Sequence, residues 1–314
     1  MIDNLFDLQF KDNLKISVTD NELYTQLLMY MFFSCNKDLI LVTPSLTEAN
    51  NLYAKLNFYL QDDVYIFPDD DFLTKKAIAS SPELMFMRLK FLESLDSGKN
   101  KIVICHTNSF LKKIPSRTNF EKKNIKLKIN QSIDRDDFIN KLSEIGYKRE
   151  SMVTNTGEFS VRGFVIDFFP VFEEHPIRIE FFDDEIEDIK EFNENTQLSD
   201  RNIEEIIIKP AIDEYSDAKE NILSYLDDYI LVYQDINAIK NVHRTILEQI
   251  KYYGEKNELF NLDDINSKFT IYANTSTNEP DSDYFLKATS IVNYNNDFDR
   301  FKNDVNSVNS YLVS

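Results

Sequence analysis

The stretch GEFSVRGFVIDFFP (Gly157–Pro170), followed by IRIEFFDDEI (Ile177–Ile186), decides how the middle of this chain folds. Side chains along a strand point alternately to two faces. In Glu158–Arg162 the alternation buries Phe159 and Val161 and exposes Ser160 and Arg162. In Ile177–Phe182 it sends Ile177, Ile179 and Phe181 to one face and Arg178, Glu180 and Phe182 to the other. If these strands are neighbours, Arg162, Arg178 and Phe182 share one exposed patch, and arginine with an aromatic ring is the composition that dominates binding hot spots. The same residues leave a plainer alternative open, in which both arginines pair with nearby acids such as Glu158, Asp183 or Asp184 and Phe182 packs under a turn.

Working outward, period-two alternation extends over closely spaced strands at Lys148–Val153, Phe164–Phe168 and Ile186–Phe192, separated by turn-rich pieces such as Thr154–Gly157 and His175–Pro176. Upstream, Ile125, Leu127 and Ile129 alternate with polar residues, and Asp134 caps a short helix that carries Phe138, Leu142 and Ile145 and stops at Gly146. The pattern predicts an antiparallel meander with one helix, a small α+β domain over residues 116–205.

On either side the rhythm is α/β. Residues 1–115 place short apolar runs at Leu14–Val18, Leu39–Thr43, Val64–Phe67 and Ile102–His106 between amphipathic helices. Thr19 with Glu22 and Ser45 with Glu48 have capping-box spacing, and Pro82 opens a third helix that Gly98 ends. Residues 206–314 resume the alternation, with strands at Ile206–Ile208, Tyr229–Tyr233 and Phe269–Tyr272 and helices at Asp217–Leu226 and Ile236–Tyr253. The expected fold class is therefore α/β: one parallel-sheet domain built from both outer segments and interrupted by the small antiparallel domain. Phe298, Phe301, Val305, Val308 and Leu312 mark a last helix that runs into the terminus without a stop signal, which reads as a piece of a longer protein.

Charge narrows the function. Asp and Glu outnumber Lys and Arg by 54 to 35, for a formal charge of −19, so the average surface repels phosphate backbones and acidic lipid headgroups. Nucleic acid is not expected as a direct ligand of this segment, and the short lysine runs (Lys112-Lys113; Lys122-Lys123 with Lys126 and Lys128) read as solvated surface. Cys35 and Cys105 stand far apart beside apolar runs and read as buried reduced thiols. No signal peptide precedes the first strand and no apolar run is long enough to span a bilayer, so a cytoplasmic protein without a membrane partner is expected.

The motifs argue against chemistry. A phosphate-binding loop needs glycines that let backbone amides approach the phosphates and a lysine that neutralises them. The loop after the first strand reads Ser17-Val18-Thr19-Asp20-Asn21-Glu22, and the chain's 5 glycines are too dispersed for a Walker A loop or a dinucleotide fingerprint. His106, His175 and His243 stand alone as structural or surface histidines, Asp69-Asp70-Asp71 reads as a solvated loop rather than a cation site, and no glycine-flanked serine elbow exists. No catalytic residue, cofactor or metal is expected in this segment.

GEFSVRGFVIDFFP and IRIEFFDDEI resemble the signature of the UvrA-binding domain shared by UvrB and the transcription-repair coupling factors. Ile66-Phe67-Pro68, Ser81-Pro82-Glu83 with Arg88, and Ile102–Pro115 look like the coupling-factor version of the preceding domain. The resemblance covers most of residues 60–210. It implies a helicase-like α/β domain of P-loop type that has lost its nucleotide site, interrupted by the UvrA-binding domain. Family members contact UvrA through two arginines and a phenylalanine, and the matching positions are Arg162, Arg178 and Phe182. The implied function is an adaptor that recruits UvrA to stalled RNA polymerase in transcription-coupled nucleotide excision repair. ATP and magnesium, contacts to RNA polymerase and DNA, and translocase activity belong by the same resemblance to other parts of such a protein, and the UvrA-binding face is expected to be masked by an intramolecular contact at rest. Where UvrB has a tyrosine-rich hairpin that grips damaged DNA, only residues 69–80 separate the third strand from its helix, so damage verification is not expected and the coupling-factor pattern fits better than UvrB. The alternative is a UvrB-like domain that binds DNA or hydrolyses ATP.

Overall fold

A computed structural model of the chain describes residues 8–69, 82–95, 98–212, 220–254, 259–275 and 281–287. The chain opens with strand β1 (Leu14–Val18), helix α1 (Asn21–Cys35), β2 (Asp38–Thr43), α2 (Leu46–Leu60), β3 (Val64–Ile66), α3 (Pro82–Ser94) and β4 (Ile102–His106). Short helices α4 (Thr107–Leu111) and α5 (Arg117–Glu121) lead to β5 (Ile125–Lys128) and α6 (Arg135–Glu144). Six strands follow in quick succession: β6 (Lys148–Arg149), β7 (Glu158–Arg162), β8 (Val165–Phe168), β9 (Ile177–Phe182), β10 (Glu185–Phe192) and β11 (Ser199–Asn202). After β12 (Glu205–Ile208) come β13 (Tyr229–Gln234), α7 (Ile236–Tyr253), β14 (Thr270–Asn274) and β15 (Tyr284–Leu286).

The outer segments share one 7-stranded sheet, ordered β15-β1-β14-β13-β2-β4-β3, in which every pairing is parallel. Its strands are near-continuous apolar runs because helices cover both faces. Leu39, Leu41, Ile102 and Ile104 enter the core under α1 and α2. Their strand neighbours Ile40, Val42, Val103 and Cys105 enter a second core with Phe91 and Leu92 of α3 and Ile239 of α7. Ser45 caps α2 in the expected capping box with Glu48.

The middle segment forms a 6-stranded sheet, ordered β11-β10-β9-β8-β7-β6. It is antiparallel from β7 to β11, while β6 joins β7 in parallel, which the meander reading did not foresee. One face is apolar: Phe159, Ile166, Phe168, Ile177, Ile179 and Phe181 pack with Phe138 and Leu142 of α6 in a third core. Helix α3 joins the two units, sending Leu89 into that core and Phe91 and Leu92 into the α/β core, which Leu95 just beyond its end also enters. Gly157 has φ +80 and an added Cβ would stand 2.5 Å from the tip of the Phe86 ring, so any other residue would strain the backbone and displace that ring.

Several sequence expectations are corrected. Ile206–Ile208 does not re-enter the parallel sheet; as part of β12 it pairs with β5 in a 2-stranded antiparallel ribbon, and the chain returns to the α/β sheet only at Tyr229. Three residues of alternation carry no information about which sheet they join. Helix α1 is capped by Asp20 rather than Thr19: the Asp20 carboxylate accepts from the amides of Glu22 and Leu23 at 2.8 and 3.0 Å. Lys148–Val153 shortens to Lys148–Arg149, and of the helix expected over Asp217–Leu226 the described part is a 3-10 turn at Ile222–Tyr225. Asp69 is not in a solvated loop: it is buried, 3.5 Å from the buried Arg88 and 3.4 Å from Lys112. Cys105 is buried as expected, whereas Cys35 is only half-buried. Asp70, Asp71, Asp217 and the expected helix over residues 298–312 lie outside the described residues.

Candidate functional site: the arginine face of the antiparallel sheet

The face of the 6-stranded sheet opposite α6 is polar, and its register fixes which side chains meet. Ser160 of β7 stands opposite Asp167 of β8, and Asp167 stands opposite Arg178 of β9. Arg162 is one step further along β7, across from Val165. Strands β7 and β9 are therefore not adjacent: β8 runs between them, and the side chain it contributes is an aspartate. Asp167 is completely buried and takes charge-assisted hydrogen bonds from both sides. Arg162 donates Nη2–H to Oδ2 at 2.6 Å, and Arg178 donates Nε–H to Oδ1 at 2.8 Å and Nη2–H to Oδ2 at 3.0 Å.

This buried carboxylate is the element that reading the strands one at a time missed. The signal was present, since Asp167 sits between Ile166 and Phe168, and a carboxylate in such a strand must find cations. Both arginines do pair with an acid, but not with Glu158, Asp183 or Asp184. Glu158 instead closes the turn before β7, and although partial burial pushes its carboxyl up, hydrogen bonds from the Asn155 side chain and the Thr154 and Asn155 amides hold it below the ordinary value.

Arg178 is fixed on three sides. Its Nη1–H donates to the Gln197 carbonyl at 3.3 Å, and its guanidinium lies 4.6 Å from the centroid of the Phe192 ring. Phe192 is fully buried yet belongs to the arginine side of the sheet, where it forms an aromatic floor. Arg178 keeps 18% of its side-chain surface in solvent and Arg162 keeps 50%. Two guanidiniums locked by one carboxylate lose little freedom on contacting a partner, so a partner's acid or carbonyl meets pre-oriented donors. Ser160 was expected beside them in solvent, but it is buried at 1% exposure, and Val161, expected in the core, is half-buried.

Phe182 lies on the same face but not beside the arginines. It stands at the hairpin end of β9, four residues on from Arg178, which is about 13 Å along a strand, and it is 70% exposed. Between them, Glu180 is held by Lys190, which is also 2.7 Å from Asp188. At the same end of the sheet stands a second ring that the sequence reading had placed inside a strand. Gly163, with φ +60, turns the chain between β7 and β8, and Phe164 follows it with 56% exposure. The Phe181 amide donates to the Phe164 carbonyl at 2.9 Å, which ties the two hairpin ends together. The Arg135 guanidinium covers the Phe164 ring at 5.6 Å and donates to the Gly163 carbonyl at 2.8 Å. The site is thus an arginine pair clamped by Asp167, with Arg178 within β9 and Arg162 at the hairpin end of β7, and two exposed rings at the rim.

Comparison with known proteins places this architecture. The UvrB interaction domain family matches residues 125–215, which contain every residue of the arginine face. The "Transcription-repair-coupling factor" of Staphylococcus aureus strain bovine RF122 / ET3-1 is 34% identical over 241 residues, covering 76% of this chain and 19% of that relative. The protein of the same description from S. aureus strain USA300 is 35% identical over 226 residues, covering 72% of this chain and 19% of the relative. The Staphylococcus epidermidis strain ATCC 35984 protein is 32% identical over 241 residues, with 76% and 19% covered. The chain thus spans about a fifth of the length of these relatives, 19% in each case. The middle segment is a UvrB interaction domain set into an α/β domain. The domain match and the 34–35% identity over 72–76% of the chain support its reading as an N-terminal, UvrB-like region of a transcription-repair-coupling factor.

Proposed function

We propose that this segment is the adaptor of a transcription-repair coupling factor, recruiting UvrA to a stalled RNA polymerase through Arg162, Arg178 and Phe182. The observation that carries the reading is the buried Asp167 clamp: it holds two guanidiniums at the surface of a UvrB interaction domain, with Phe182 exposed on the same face. Nothing else in the described α/β unit offers a comparable set of pre-oriented charged donors beside an exposed ring.

The segment does not itself turn over nucleotide in this reading. The first amides of α1, which would greet a phosphate in a P-loop, are taken by the Asp20 carboxylate, whose charge repels phosphate. ATP, magnesium, polymerase and DNA are handled by other parts of the longer protein, and a part of it covers the arginine face at rest.

In a binding titration, Arg178→Ala or Phe182→Ala weakens UvrA affinity by about 2 kcal/mol or more, the scale of a hot-spot truncation. Phe182→Ala leaves the melting transition in place, because the ring is largely in solvent. Unchanged UvrA affinity in both folded variants overturns this assignment of the face.

A further inference from the structure

On the α6 side of the antiparallel domain, away from the arginine face, a concavity of 560 Å³ opens between β5 and α6. Its rim carries 4 lysines from three places in the chain: Lys122 and Lys123 in the turn after α5, Lys126 on β5 and Lys141 on α6. Its floor is apolar, made by Ile125, Ile133 and the buried Ile145. A positive island of this kind is unexpected on a chain with a net charge of −19. In the sequence Lys122, Lys123 and Lys126 are a short run of charge with no partner site; only the fold brings Lys141 round to face them.

The bland explanation is that lysines guard an open strand edge against pairing with other chains. It accounts for Lys126 on β5, but it requires neither the isoleucine floor nor the lysine supplied by a separate helix. Internal neutralisation of Lys122, Lys126 and Lys141 is also slight. Lys126 lies 3.4 Å from Glu205, both largely exposed, and such a pair is worth little. Lys122 and Lys141 make no ion pair among the described residues.

We propose that this groove binds an extended acidic peptide segment of a protein partner, its carboxylates on the lysines and an apolar side chain on the isoleucine floor. Three features favour peptide over nucleic acid. No aromatic ring or arginine lines the groove to stack on a base. Glu144 on the rim would repel a continuous run of phosphates. The three isoleucines match an apolar side chain and have nothing to meet on a sugar-phosphate backbone. The site shares no residue with the arginine face and does not depend on the UvrA reading.

The test uses the 314-residue chain and a short fluorescein-labelled peptide alternating glutamate with leucine, followed by anisotropy. The peptide is expected to bind with an affinity that falls as salt rises. The double reversal Lys122→Glu, Lys141→Glu weakens it at least about tenfold, the effect of losing roughly 1.4 kcal/mol. Ile133→Ser weakens it with the salt dependence unchanged, which separates a groove with a floor from general attraction to a basic surface. Arg162→Ala and Arg178→Ala leave it unaltered, so failure here and failure of the UvrA reading are distinguishable. The proposal is overturned if the charge reversal binds like the parent chain, if an alanine-leucine peptide binds equally well, or if oligothymidylate binds as tightly as the acidic peptide. Thermal melts of each variant exclude loss of fold as the cause.

Discussion

The two sheets of this chain solve the same packing problem in opposite ways. The parallel sheet is covered on both faces: along β4, Val103 and Ile104 are each fully buried, one in each core. The antiparallel sheet has its apolar core on one face and only partial cover on the other, so along β9 the buried Ile177, Ile179 and Phe181 alternate with Arg178, Glu180 and Phe182. A sheet closed on both sides keeps only its strand ends and loops for partners, and at the end of β1 the first amides of α1 are already taken by Asp20. A sheet with one partly open face presents a patterned array of side chains whose spacing is set by strand register. Binding capacity in this molecule therefore concentrates where burial is incomplete.

The largest effect that would break the comparison comes from inserting charge. Ile104→Asp in the parallel sheet places an unpaired carboxylate in a closed core, and denaturant unfolding is expected to show a loss of at least about 4 kcal/mol. Val103→Asp, on the opposite face of the same strand, is expected to cost as much. In β9 the two faces must differ, and Glu180→Ala, half-exposed, changes stability by no more than about 0.5 kcal/mol. Equal sensitivity of the two β9 faces would remove the distinction between the sheets.

A smaller effect sharpens the account of the arginine face. Asp167→Ala leaves two guanidiniums without their shared acceptor, one of them mostly out of solvent, and is expected to cost about 3 kcal/mol. Replacing Arg162 alone should cost much less, because it is half exposed and Arg178 still satisfies both carboxylate oxygens. If the two variants melt alike, Asp167 is not the centre of the clamp.

The smallest effect concerns pH. Glu158 is held below its ordinary carboxyl value in the folded state, so its contribution is fully present above the unfolded value and is lost as pH falls through the lower, folded one. Acidification from neutral should leave the protection of the amides at residues 154–158, their exchange relative to the intrinsic rate at each pH, unchanged until the carboxylate range is entered, about pH 4, and should then reduce it. Glu158→Gln should show the reduced protection already at neutral pH.

Much of this was legible before any coordinates. Strands β1, β4 and β7 fall where alternation and apolar runs put them, and Ser45 and Asp134 start their helices by chemistry carried within a few residues. The two-faced character of β9 is likewise a local property, because the pleat has period two whatever the neighbouring strand is. That Arg178 and Phe182 share a face follows from the same rule.

Tertiary structure alone decided which strands are neighbours, and with that the chemistry of both surfaces. The insertion of β8 between β7 and β9 gives Arg162 and Arg178 a common buried acceptor, and nothing local in either arginine-bearing strand specifies that pairing. The diversion of β12 to β5, and the placing of Lys141 opposite Lys122 and Lys126, are of the same kind. Short-range patterns fix where each side chain points because backbone geometry is local. Which charges meet depends on long-range pairing of strands and helices, and that is set by the sum of the whole core's contacts.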